Sequence, residues 1–123
     1  MKALNENQLF YLYRLLSKIK FSEINEYEIR EFINSPFGTE ILCEIVDSKV
    51  HKLIPSDLGL VDTKVTDLIL SRVEKWEDSS KRTAQNWDSE EIESFLVQMI
   101  KPFDYNQEIL SELTLKFKEK IVI

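Results

Sequence analysis

A chain of 123 residues, 43% hydrophobic and 31% charged, has the size and apolar content to bury a core without a metal or disulfide, and it is no disordered tail. Twenty-two acidic against sixteen basic residues leave a formal charge of −6. That field repels phosphates and anionic lipid, which argues against direct nucleic-acid binding and against a membrane surface as partner.

Two glycines and three prolines are too few for the turns of an all-β fold, so helices are expected. The single cysteine, Cys43, precludes an intrachain disulfide and suits a reducing compartment. Met1-Lys2-Ala3-Leu4-Asn5-Glu6 lacks the apolar run of a secretory signal, and no stretch reaches the roughly eighteen apolar residues of a membrane span. A cytoplasmic protein is the expectation.

In chain order, the spacing predicts a first helix over residues 6 to 20, capped by Asn5. Its inward stripe is Leu9, Leu12, Tyr13, Leu16 and Ile19, widened by Phe10 and Tyr11. A second helix, capped by Ser22, is expected to reach Asn34 with Ile24, Tyr27, Phe32 and Ile33 inside and Glu23, Glu26, Glu28 and Glu31 on its wetter sides. The third, from Ser35 as N-cap and Pro36 at the first position to Pro55, carries Phe37, Ile41, Leu42, Ile45, Val46, Val50 and Leu53. A stripe that broad predicts a central helix packed on more than one neighbour.

After a turn at Pro55–Gly59, Asp62 is expected to cap a fourth helix to Glu77, with Val65, Leu68, Ile69, Val73 and Trp76 inward. Residues 78–86, DSSKRTAQN, hold no apolar side chain except Ala84 and read as a mobile surface loop. Asp88 and Glu91 then form a capping box, and Trp87 and Ile92 a hydrophobic staple. That helix buries Ile92, Phe95, Leu96, Met99 and Ile100 and stops at Pro102. Asp104 and Gln107 suggest another box for a last helix using Ile109, Leu110, Leu113 and Phe117. Residues 113–123 also alternate as an edge strand would, but helix is the preferred reading. The expectation is an all-α fold, a single-domain compact bundle of about six helices spanning residues 1–123.

No residue pattern specifies a reaction. Asp47 and His51 are one helical turn apart, but no second histidine or Glu-x-x-His completes a metal set, so His51 reads as solvent-facing or locally paired. Cys43 lies eight residues from His51, about 12 Å along a helix, too far to be activated as a nucleophile, and packing is the better account of it. Glu90 and Glu91 stand in a helix's first turn, where the macrodipole favours negative charge and capping explains them. Gly38 and Gly59 are isolated, so no phosphate loop can form. A non-enzymatic protein with no cofactor and no metal is expected.

The charge pattern says more. Glu74, Glu77, Asp78, Asp88, Glu90, Glu91 and Glu93 face only Lys75, Lys81 and Arg82 around the expected loop, and Glu40, Glu44 and Asp47 make a second acidic row on the third helix. These rows read either as a solvated face or as a docking surface for a basic partner, with Trp87 as an anchoring aromatic.

A helix ending in Val73 and Trp76, a polar stretch, and the acidic start Trp87-Asp88-Ser89-Glu90-Glu91-Ile92 resemble the closing section of colicin-D-type immunity proteins. The Leu15-Leu16 to Phe21 stretch is similar too, while the longer middle and the extra helix after Pro102 depart from that pattern. A larger helical immunity protein of a contact-dependent growth inhibition system is the broader comparison. The resemblance implies a small cytoplasmic acidic domain, a monomer in a one-to-one complex, that covers the basic active site of a cognate nuclease toxin. It implies no individual binding residue. Two other readings remain at this point: an acidic phage or regulatory adaptor that mimics nucleic acid to occupy a host protein, and a self-associating structural module.

Overall fold

The computed structural model describes residues 3–22, 35–49, 52–55 and 57–123. The expected second helix, Val50 and His51 lie outside the described residues. Among those described there are six helices and no strand, an all-α fold, and the chain divides into two compact units, Met1–Gly59 and Leu60–Ile123.

In the first unit, α1 runs Glu6–Phe21. Its start is a capping box: the Asn5 side chain accepts the Gln8 N–H at 2.9 Å, and the Gln8 side chain accepts the Asn5 N–H at 3.0 Å. Glu6 in the first turn and Lys18 and Lys20 in the last complement the helix dipole. Ser22 closes it, its N–H donating to the Lys18 carbonyl, while the helix Ser22 is expected to open lies outside the described residues.

α2 spans Pro36–Ser48, with the Ser35 hydroxyl accepting the N–H groups of Phe37 and Gly38. It ends well before Pro55, because Lys49 turns into the left-handed region (φ 53°) and the Ser48 hydroxyl donates to the Ile45 carbonyl. The broad stripe expected here is narrower in fact. Thr39, Leu42, Ile45 and Val46 are buried, whereas Phe37 is 69% exposed and Ile41 and Leu53 are exposed too. Within this unit α2 packs on α1, as Leu9, Phe10, Leu12, Tyr13 and Leu16 close around Ile45, Val46 and Ile54. Tyr11, expected to widen the inward face of α1, points to solvent. Lys20, 7% exposed as a residue, donates from its ammonium to the Thr39 hydroxyl at 2.8 Å, a buried polar link between the two helices.

In the second unit, α3 (Thr63–Glu74) is capped by Asp62, whose carboxylate accepts the Val65 N–H at 3.0 Å. It buries Val65, Leu68, Ile69, Leu70, Arg72 and Val73, and it stops short of Glu77 because the chain tightens, Lys75 and Trp76 donating to the carbonyls of Arg72 and Val73.

The expected surface loop is instead a helix, α4 (Asp78–Gln85). With one apolar residue it shows no hydrophobic period, yet it holds neither glycine nor proline to break a helix. Tertiary contacts fix it: Ala84 is fully buried, and the Gln85 amide donates to the Ile121 carbonyl at 2.8 Å.

α5 (Ser89–Ile100) has the expected box, Asp88 accepting the Glu91 N–H at 2.8 Å and Glu91 accepting the Asp88 N–H at 3.4 Å. Ile92, Leu96, Met99 and Ile100 are buried, and Lys101, preceding Pro102, leaves the helical region.

α6 (Gln107–Lys120) is capped by Asn106 rather than Asp104. The Asp104 backbone is occupied elsewhere, its carbonyl accepting the Val61 N–H at 2.8 Å in an isolated parallel bridge between Leu60 and Asp104. The helix continues through the stretch that could alternate. Leu113 and Phe117, four apart, are buried, while Leu115 is 64% exposed, as helical and not strand spacing requires. α6 packs on α3 and α5, and the core between them centres on Leu96, Ile100, Val73 and Phe117.

Candidate partner-binding surface

Four aromatic rings meet where α3, α5 and α6 converge. Phe117 of α6, fully buried, lies beneath Trp76, Trp87 and Phe95, which are half-buried. Trp87 stacks on Phe117 with ring planes 4° apart and centroids at 6.1 Å. Trp76 meets Phe95 and Phe117 edge-on at 5.4 and 6.0 Å, and Phe95 tilts against Trp87 at 5.6 Å. Offset-stacked and edge-to-face pairs are the favoured arrangements of ring quadrupoles, so these contacts hold Trp87 in one orientation.

An open groove begins at that ring. It is lined by Trp87, Asp88, Glu90, Glu91, Ser94 and Phe95, and about 530 Å³ of space lies against them, most of it open to solvent. Local sequence explains how these residues converge. The capping box fixes the entry to α5, and Glu90/Ser94 and Glu91/Phe95 are four-residue pairs that share helix faces. Ser94 and Phe95 carry no charge, and their membership follows only from counting one turn on from the two glutamates.

Apart from Glu93, which is half-buried on α5 and does not line the groove, the acidic residues singled out in sequence fall into three places. Asp88, Glu90 and Glu91 are exposed and line the groove with Trp87. Glu74, Glu77 and Asp78, also exposed, sit at the end of α3 and the start of α4 and do not line it. Trp76 and Trp87 touch at 6.4 Å, so α4 is an excursion whose two ends return to one aromatic contact. Glu74 forms an ion pair with the Lys120 ammonium at 3.6 Å, a surface pair of little energetic weight. Glu40, Glu44 and Asp47 are exposed along α2, in the other unit, away from its buried Leu42, Ile45 and Val46.

Cys43 is half-buried on α2. Among the described residues no helix is long and apolar enough to cross a membrane, and no group of three or more His, Cys, Asp or Glu is placed to hold a metal.

No family model, no curated protein and no solved structure matches this chain.

Proposed function

We propose that this chain is an immunity protein, which binds a cognate bacterial toxin of nuclease type and neutralises it by laying an acidic helical surface over its basic active site. The observation that carries this reading is that three exposed carboxylates, Asp88, Glu90 and Glu91, line one groove with two half-buried aromatic rings, Trp87 and Phe95, which are held by contacts with each other and with Phe117.

A nuclease cleft is cationic because it must hold phosphate. Carboxylates compete for those same cations, and complementary potentials raise the association rate more than they raise affinity. Affinity needs a desolvated apolar anchor inside the polar rim, and Trp is among the residues that most often supply it. The overall charge of −6 supports the same reading, and the Trp87–Ile92 stretch resembles the closing section of colicin-D-type immunity proteins. The Glu40, Glu44 and Asp47 row on α2 is the second candidate face.

The test is calorimetric titration of the full chain into the C-terminal domain encoded by the reading frame immediately upstream. One-to-one binding that abolishes a nuclease activity of that domain is the expected result. No heat and no inhibition, with both proteins folded, would overturn the reading.

A further inference from the structure

We infer that the groove at the start of α5 is a receptor for one arginine side chain of the partner. This deepens the proposed function and rests on it for the existence of that partner.

The groove makes two chemical demands at once. The half-buried members of its lining, Trp87 and Phe95, are aromatic and serve as its floor, whereas the exposed members are three carboxylates and the Ser94 hydroxyl, and no basic side chain lines it. An aliphatic side chain would suit the floor but strip water from the carboxylates without replacing their hydrogen bonds. An anion would be repelled. A cation with flat faces satisfies both demands, and a guanidinium is that cation: it stacks on an aromatic face and forks its N–H donors onto carboxylate oxygens. A lysine ammonium is a compact, strongly hydrated charge with no plane to stack, so the same groove holds it less well.

One effect opposes the cation. The N-terminus of α5 carries roughly half a positive charge from the helix dipole. Three carboxylates at the same end outweigh it. Asp88 and Glu91 each give one oxygen to the capping box, and a carboxylate has several further lone-pair positions. Glu90 takes no part in the box, which leaves it the side chain best placed to turn onto a guanidinium. The floor needs no rearrangement, since Trp87 is already fixed between Phe117, Trp76 and Phe95, and preorganisation lowers the entropy lost on binding.

The experiment uses the isotope-labelled full chain and three capped peptides, Gly-Arg-Gly, Gly-Lys-Gly and Gly-citrulline-Gly, followed by amide and indole NMR. The arginine peptide should shift the Trp87 indole N–H and the Ser94 and Phe95 amides to saturation. Citrulline, which keeps the shape and loses the charge, should produce no saturable shift, and lysine should bind about three- to fivefold more weakly than arginine. Glu90→Gln, outside the capping box, should weaken the arginine peptide by a similar factor, about three- to fivefold, without disturbing the rest of the spectrum.

Equal response to citrulline, shifts that map away from Trp87, or unchanged affinity in Glu90→Gln would overturn the inference. The peptides need no toxin, so the two ideas fail separately. Arginine binding in the groove without binding of the upstream-encoded domain would sink the immunity reading alone. Tight binding of that domain with no arginine response would sink the groove inference alone.

Discussion

Phe117 is fully buried and its ring meets those of Trp76, Trp87 and Phe95. Removing it deletes a large apolar volume and three ring contacts together, and the stacked tryptophan above cannot follow without leaving the surface. Phe117→Ala should therefore cost about 3–5 kcal/mol. Urea unfolding should show a lower midpoint with little change in slope, and a loss below about 1 kcal/mol would mean that the site collapses easily and that Trp87 is not held as described. At this scale the sequence was only partly readable. Phe117 and Leu113 show themselves by four-residue spacing, but the pairing of Lys20 with Thr39 does not, because the two are nineteen residues apart and lysine is rarely buried. The groove divides the same way. Trp87, Asp88, Glu90 and Glu91 announce themselves by charge and capping, while Ser94 and Phe95 join only through helix geometry.

Among the elements, helices with side-chain caps were legible and uncapped boundaries were not. Asn5, Ser35, Asp62 and Asp88 each cap the helix their spacing assigns to them. α4 has no side-chain cap hydrogen bond and one buried residue, so neither signal existed, and its helicity comes from Ala84 and Gln85 packing against distant chain. α2 stops at a left-handed lysine, where no glycine marks the end. The last helix is capped by Asn106 because the backbone of Asp104 is drawn into the bridge with Leu60, a long-range contact that no local pattern reports. The α5 cap carries its own prediction. Asp88→Ala should lower stability by about 1 kcal/mol, since it orphans the Glu91 N–H and breaks the reciprocal box. Asp88→Asn keeps the acceptor and should stay close to wild type in thermal unfolding while losing one rim charge. If Asn proved as destabilising as Ala, the cap would be acting through its charge on the helix dipole and not through its hydrogen bond.

For the whole molecule the relevant quantity is the distribution of charge. Thirteen acidic against nine basic residues fall in 60–123, and nine against seven in 1–59, so both stretches are acidic and the excess is larger where the groove lies. Fields of this kind act before contact. They extend over about 10 Å at 0.1 M salt and shrink as salt rises. Association with a cationic domain should accordingly slow by about ten- to a hundredfold between about 0.02 and 0.5 M salt, because steered encounter gives way to undirected collision. The dissociation rate should change much less, since the aromatic floor and any desolvated ion pair are poorly screened once water is excluded. Stopped-flow mixing followed by tryptophan fluorescence reads both rates. An association rate insensitive to salt would show that the acids keep the protein soluble and do not guide it. A dissociation rate that rose as steeply as the association rate fell would place the whole interaction on exposed charges, with Trp87 and Phe95 outside the contact.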